Sequence, residues 1–363
     1  MGGKGRDLVV GVVGAAGYTG GELCRLLLGH PDVGTILPAV RDDRSFDCTH
    51  PNLTGSGLAF TTVDDLEARA AELDVVFFCT PTGHAMLAAR RYLDAGAIVV
   101  DLSADFRFAD PAAFERAHGV AHAAPDLLDQ AVYGATELYR DQVRKARLVA
   151  NPGCYALTAV LALAPLLDAL GDGIHDVAVH AVNGTTGAGT TPKKDLAHAE
   201  VFGSMLAYSL EGHRHGPELE AVFGELTGHD VGVDLNTTHG NFARGIHLQA
   251  NVRLTGPTSR ADLLETYTRF YGTGHDGEFF VLVNDNARTG KINDKQYDLY
   301  PRLANVVGSN FCHLGLDHDA DRNVVKVVAV TDNLVKGAAG SAIQNMNVAL
   351  GLDETAGLRG YAL

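Results

Sequence analysis

Residues Leu8 to Val13 form a continuous apolar, β-branched run that passes into Gly11-Val12-Val13-Gly14-Ala15-Ala16-Gly17-Tyr18-Thr19-Gly20-Gly21-Glu22-Leu23. Few arrangements satisfy such a run followed by a glycine turn and an amphipathic stretch from Glu22 to Leu28. They amount to a buried strand, a tight turn and a helix start, in that order. Glycines at 11, 14 and 17 let the backbone approach a pyrophosphate closely and set it at a helix N-terminus, where unpaired N–H groups favour an anion. The spacing is G-x-x-G-x-x-G rather than the commoner G-x-G-x-x-G, and a glycine turn without a ligand reads the same way. The next segments extend the pattern. Apolar runs at Gly34 to Val40, Asp74 to Thr80 and Ala97 to Leu102, with a helical stretch from His84 to Leu93, predict a doubly wound parallel α/β sheet of Rossmann type.

At 363 residues the chain is too long for one ordinary core, and two domains are expected. The pattern changes after residue 154. Tyr155 to Leu170 is an apolar helix that Pro165 should kink. Asp176 to Asn183, Gly245 to Leu254, Glu278 to Val283, Val306 to Leu316 and Asn323 to Thr331 read as strands, with Ser259 to Tyr271 as a helix among them. Many strands with few helices predict an α+β domain whose sheet is mostly antiparallel and covered on one face. Ala338 to Leu350 is a closing helix of small and apolar residues, expected to return to the first domain.

The 44 acidic and 29 basic residues leave a net charge of −15, which repels nucleic acid and anionic membrane. No apolar run is expected to cross a bilayer, and the polar segment from Met1 to Asp7 lacks a signal core. Five irregularly spaced cysteines form neither a disulfide framework nor a metal pattern, so a reducing cytoplasm and no metal are expected.

Candidate chemistry lies at a few turns. Cys154 follows Leu148-Val149-Ala150-Asn151-Pro152-Gly153 and opens the apolar helix, where the helix N-terminus favours a thiolate. A buried structural cysteine would look alike in isolation. Glu211-Gly212-His213-Arg214-His215-Gly216 supplies imidazoles suited to proton exchange near neutrality. On an extended segment His213 and His215 share one side. Either could instead cap the following helix, and a zinc site would lack a third ligand at a sensible interval. Arg107 leaves the end of a parallel strand, where ligands of such sheets bind, although a salt bridge to Asp105 or Asp110 would also occupy it. Arg41, Arg44 and Ser45 follow the second strand and could hold a 2′-phosphate, favouring NADP over NAD, although Asp42 and Asp43 stand beside them. Gly184 to Pro192 is a small-residue loop able to pack against a ligand.

Taken together, Gly11 to Leu23, Asp101 to Phe108 (DLSADFRF), Ala150 to Tyr155 (ANPGCY), Gly212 to His215 (GHRH), Val307 to Asn310 (VGSN) and Asp332 to Asn347 (DNLVKGAAGSAIQNMN) give the chain a nearly end-to-end resemblance. It resembles the N-acetyl-gamma-glutamyl-phosphate reductase family, related in mechanism to aspartate-semialdehyde dehydrogenases. The resemblance implies an NADP-binding Rossmann domain over 1–153 and 333–363 and a substrate domain over 154–332. It implies NADPH-dependent reduction of N-acetyl-glutamyl 5-phosphate to the semialdehyde in arginine biosynthesis. Cys154 would form a thioester, with His213 as acid/base and His215 as second candidate. Arg107, Arg244 and Asn151 would bind the acyl phosphate. Gly14, Gly17, Tyr18, Thr19 and Gly20 would line the pyrophosphate turn, and Asn333 would orient the nicotinamide. A homo-oligomer, dimer or tetramer, is implied by analogy with the family.

Three segments depart from the family pattern: Ala135-Thr136-Glu137, Ala156-Leu157 after Tyr155, and His239-Gly240-Asn241-Phe242-Ala243-Arg244-Gly245. Because all three are expected on the substrate side, a paralogous reductase of an aminoadipyl or carrier-protein-linked glutamyl phosphate is the alternative. An acidic carrier would need a basic dock, and Arg140, Arg144, Lys145 and Arg147 form the dense basic group, although a solvated helix face explains them as well. A non-catalytic dinucleotide sensor is a third reading, which the pairing of Cys154 with His213 disfavours.

Overall fold

The computed structural model describes residues 6–272, 277–291 and 294–362. The segment Met1 to Gly5, read above as polar, lies outside the described residues. The chain divides into two units, Met1–Gly153 with Gly337–Gly360 and Cys154–Lys336 with Tyr361–Leu363.

The first unit is built on β1 (Leu8–Val13), β2 (Val33–Val40), β3 (Thr61–Thr62), β4 (Val75–Phe78), β5 (Ile98–Asp101), β6 (Ala131–Tyr133) and β7 (Leu148–Ala150). Its order is β3-β2-β1-β4-β5-β7-β6, with every neighbouring pair parallel. β1 and β4 lie at its centre with Val10, Val12, Val75, Val76 and Phe77 buried, which is why these strands read as unbroken apolar runs. The helices are α1 (Tyr18–Leu27), α2 (Phe46–Thr49), α3 (Val63–Ala68), α4 (Ala85–Ala95), α5 (Pro111–His118) and α6 (Thr136–Val143). From β1 the chain moves outward to β2 and β3, then returns to β4 on the other side of β1. The topological switch therefore falls at the carboxyl ends of β1 and β4.

The second unit starts with α7 (Cys154–Leu170) and continues through β8 (Asp176–Asn183), α8 (His198–Val201), β9 (Leu206–Tyr208), α9 (His215–Thr227), β10 (Gly232–His239), β11 (Ile246–Arg253), α10 (Arg260–Tyr271), β12 (Val281–Asn284), β13 (Cys312–Asp319) and β14 (Val324–Thr331). Its sheet, in the order β12-β13-β14-β11-β8-β10-β9, is mixed. β8 with β10 and β12 with β13 are parallel, while the other four pairs are antiparallel. The sheet is thus mostly antiparallel, as expected, with two parallel pairs inside it. The connections from β8 to β10 and from β12 to β13 are long enough for the crossover that parallel pairing needs. Alternation shows the two faces: Ile246, Leu248, Ala250 and Val252 of β11 are buried, while Gln249, Asn251 and Arg253 are exposed. α7, α9 and α10 pack against the sheet.

Two further expectations are revised. The strand predicted from Val306 begins only at Cys312, because Gly308 adopts a left-handed φ of 86° and turns the chain before it. The run Cys154–Gly173 does reach 20 residues and is apolar enough to span a bilayer, but it is the core helix of this unit, largely enclosed by protein. Pro165 is carried inside α7 without ending it. A proline removes the N–H that would pair with the carbonyl four residues earlier, here that of Leu161. The Tyr271 hydroxyl of α10 donates to that carbonyl at 2.6 Å, and the Tyr267 hydroxyl donates to the Ala162 carbonyl at 2.5 Å.

The chain ends with a π-helical turn at Val335–Ala339 and α11 (Gly340–Ala349), which packs on α1, α6 and β5 of the first unit. Residues 333–336 and Tyr361, expected with the first domain, belong to the second unit. Lys336 Nζ lies 5.5 Å from the Phe280 ring centre, and Tyr361 stacks on Phe311 at 5.5 Å.

Candidate active site

In the first unit, the glycine turn sits at the topological switch. Gly14 has φ 82°, and a Cβ there would lie 2.5 Å from the Cys79 carbonyl oxygen, so the ends of β1 and β4 approach as closely as they do only with glycine. Gly17 caps α1 without a side-chain bond, and no acidic residue occupies the first turn. The first N–H groups of α1 therefore face no carboxylate from their own turn. Tyr18 is exposed and Thr19 half-buried there, whereas Gly20 packs on Ala15. A cleft of about 390 Å³ opens beside the turn, lined by Gly14, Val40, Arg41, Thr80, Pro81 and His84 among others. These residues fit a dinucleotide: a tight turn, a helix N-terminus and a cleft in sequence. Arg41 lines the cleft. Arg44 instead forms a bidentate pair with Asp42, and the Ser45 hydroxyl accepts from the Cys48 N–H at 3.3 Å to cap α2.

Arg107 is fixed by backbone. Its Nε donates to the Asn151 carbonyl and its Nη2 to the Leu102 carbonyl, both at 2.9 Å. Asp105 accepts from the N–H groups of Gly83 and Met86, while Asp110 caps α5. Burial, and then the charge of Asp105, push Asp101 at the end of β5 up to about 7. Asn151, expected to bind substrate, is buried with its amide engaged inside the fold. Its Oδ1 accepts from Ser341 Oγ and Asn345 Nδ2, both at 3.0 Å, so it anchors the C-terminal segment. The Ala135-Thr136-Glu137 departure is likewise packing: Thr136 Oγ1 donates to Asn345 Oδ1 at 2.7 Å and Gln344 Nε2 to Glu137 Oε1 at 3.0 Å.

In the second unit, Cys154 is the first residue of α7 and half-buried, with the Asn183 Nδ2 group 3.9 Å from its sulfur. The next residue, Tyr155, belongs to a cluster of two phenols and three imidazoles. The Tyr155 and Tyr208 hydroxyls are 3.0 Å apart, His213 and His215 meet Tyr155 edge-on at 5.5 and 6.0 Å, and His239 stacks on Tyr208 at 4.4 Å. His213 and His215 do not lie on an extended segment. Arg214 is already helical and His215 opens α9, so the two rings adjoin at 4.7 Å because of the helix start. His213 Nδ1 accepts the His215 backbone N–H at 3.1 Å, which leaves the proton of the neutral ring on Nε2. Burial, with Arg214 and His239 nearby, pushes His213 down to about 4, and it is neutral at pH 7. Burial raises Tyr208 to about 12 and Tyr155 further still.

Arg244 is the counter-ion of buried Asp332, with Nε 3.0 Å from Oδ2. The same carboxylate accepts from the N–H groups of Gly308 and Leu334. The Asn333 amide ties together two loops, accepting from the Gly245 N–H at 2.6 Å and donating to Thr186 Oγ1 at 3.0 Å. Ala156 and Leu157 are buried core of α7. The residues of this site that sequence reasoning missed are Asn183, Tyr208 and His239. Asn183 was visible as a polar end to an apolar strand before a glycine loop. Tyr208 carried no signal, because it arrives through the pairing of β9 with β10.

Residues 9–146 match the family model described as semialdehyde dehydrogenase, NAD binding domain, and residues 154–333 match the semialdehyde dehydrogenase, dimerisation domain. An N-acetyl-gamma-glutamyl-phosphate reductase of Methanopyrus kandleri is 41% identical, over 97% of this chain and 98% of that protein. A protein of Cenarchaeum symbiosum, named as a putative LysW-aminoadipate and LysW-glutamate phosphate reductase, is 39% identical over 96% and 97%. Among solved structures, aspartate semialdehyde dehydrogenase II of Vibrio cholerae has the same fold, with a TM-score of 0.70 at 14% identity over 95% of this chain and 99% of that one. Matched through both units and along its length by such relatives, the chain belongs to the N-acetyl-gamma-glutamyl-phosphate reductase family of semialdehyde dehydrogenases, a family of oxidoreductases.

Proposed function

We propose that the chain reduces N-acetyl-glutamyl 5-phosphate to N-acetyl-glutamate 5-semialdehyde and phosphate with NADPH, in arginine biosynthesis. The observation that carries this reading is Cys154 at the N-terminus of α7, with an amide donor on its sulfur and a neutral histidine nearby in the same unit. The Cys154 thiolate attacks the acyl carbon, the carbon–oxygen bond to phosphate breaks, and a thioester remains. A bound NADPH supplies the hydride that reduces such a thioester. His213 holds its proton at Nε2, so it serves the developing oxyanion as a hydrogen-bond donor rather than as an imidazolium acid. His215 is the second group for proton exchange. Arg107, its guanidinium held by two carbonyls, is the cation assigned here to the anionic part of the substrate. On collapse, the carbon–sulfur bond breaks, the aldehyde leaves and the thiolate returns.

The turn at Gly14, the start of α1 and Arg41 at the cleft support dinucleotide binding with a preference for NADP. The match to a dimerisation domain supports a homo-oligomer, and five free cysteines suit a reducing cytoplasm. The relative named for LysW-linked substrates makes a carrier-linked acyl phosphate the second reading. Against it, three of the four candidate docking cations are engaged within the fold: Arg140 pairs with Glu354, Arg144 pairs with Asp141, and Arg147 donates to the Leu93 and Ala97 carbonyls.

The test is NADP reduction by N-acetyl-glutamate semialdehyde with and without phosphate, alongside the aminoadipate analogue and Cys154→Ser. Phosphate-dependent turnover of the glutamate compound, abolished in Cys154→Ser, is expected. Turnover that survives the substitution refutes the mechanism, and preference for the longer analogue moves the substrate to the second reading.

A further inference from the structure

Asn183 stands at the end of β8, a strand paired on both sides, and its backbone is held opposite His239 and Ile246. Its carbonyl accepts from the Gly240 N–H at 2.8 Å. The side chain is 1% exposed, and its Nδ2 group lies 3.9 Å from Cys154 Sγ, within reach of an N–H···S bond to a large, diffuse sulfur. The space it occupies is left by a glycine. A Cβ on Gly187 would fall 2.2 Å from the same Nδ2. The Tyr155 phenol, next in the chain after Cys154, is joined to the Tyr208 hydroxyl at 3.0 Å. The amide oxygen is buried without a hydrogen-bond partner. Here the orientation turns the donor, not the acceptor, toward sulfur, as suits a thiolate rather than a thiol.

We propose that Asn183 is a catalytic residue, whose side-chain amide donates to the Cys154 sulfur and holds it in the thiolate form that attacks the acyl carbon. The thiol proton passes to water on ionisation, and the amide exchanges none. When the carbon–sulfur bond breaks at the end of the cycle, the same donor receives the returning thiolate. Gly187 is the positioning residue that keeps room for this amide. The proposal rests on Cys154 being the nucleophile.

The experiment is the pH dependence of iodoacetamide alkylation of Cys154, read on its own peptide by mass spectrometry in the full chain. It uses the wild type, Asn183→Ala, Asn183→Gln and Gly187→Ala. In Asn183→Ala the midpoint should rise by about one pH unit, so alkylation near neutrality slows roughly tenfold while the high-pH plateau is unchanged. Gly187→Ala should shift it in the same direction, and Asn183→Gln should recover part of the effect. Superimposable profiles for the wild type and Asn183→Ala overturn the proposal. A lowered plateau together with lost NADP binding identifies a folding defect in Asn183→Ala, and Gly187→Ala then decides, with an unshifted midpoint again overturning the proposal. A wild-type Cys154 alkylated no faster than exposed Cys48 overturns the nucleophile reading itself.

Discussion

The helix that carries Cys154 is predicted to depend on a hydroxyl supplied from α10. Pro165 cannot donate to the Leu161 carbonyl, and the Tyr271 hydroxyl does so at 2.6 Å in a site where Tyr271 is 2% exposed. Tyr271→Phe preserves the ring and its packing but leaves that carbonyl buried and unpaired, at a cost of about 1–3 kcal/mol. In a Pro165→Ala background the new alanine brings back the missing N–H, and the same substitution should cost about 1 kcal/mol or less. The coupling in the double-mutant cycle is therefore on the order of 1 kcal/mol or more. With no tryptophan in the chain, unfolding is best followed by circular dichroism of the helices. Each kcal/mol should appear as a fall of about 2–4 °C in Tm for a unit of this size. If Tyr271→Phe costs the same in both backgrounds, the hydroxyl is not compensating for the proline and the reasoning fails.

Two further outcomes follow from the same structure. Replacing Arg41 with alanine should reduce the NADP-over-NAD ratio of kcat/KM about tenfold or more, the value of one charge-assisted contact to a 2′-phosphate, and an unchanged ratio removes Arg41 from the site. His213 is held down at about 4 against an ordinary value of 6.5, so the unfolded chain takes up its proton first as pH falls. Its contribution is complete above about pH 6.5 and is lost toward pH 4, by up to about 1.4 kcal/mol per pH unit. His213→Asn should therefore flatten the decline of Tm between those values, whereas parallel curves for variant and wild type would exclude it.

Local chemistry made much of the scaffold readable. β1, the glycine turn and α1 follow from a β-branched run, three glycines and an amphipathic stretch, all interactions within a few residues. The boundaries of β8, Asp176–Asn183, match the alternating run in the same way, and Ser259 caps α10 with Asp262 as its sequence suggests. Less legible was the partner of each strand. The parallel pairing of β8 with β10 depends on a crossover of many residues, whose return path no short pattern specifies.

The side chains around the candidate site divide along the same line. From sequence alone came the residue types with capacity for the chemistry: a cysteine opening a helix, two neighbouring histidines, an arginine after a parallel strand, and glycines at a turn. Capacity is a property of the residue and its immediate neighbours. Commitment is not, because each polar group is claimed by whichever partner the packed chain brings within about 3 Å. Arg244 was claimed by Asp332, Asn151 by Ser341 and Asn345, and Asn333 by Gly245 and Thr186, all across long sequence separations. Only the tertiary structure decided those pairings, and only it brought Asn183 to the Cys154 sulfur and set Tyr208 and His239 against Tyr155 and each other. Their approach is fixed by strand pairing and by burial, which act on the chain as a whole.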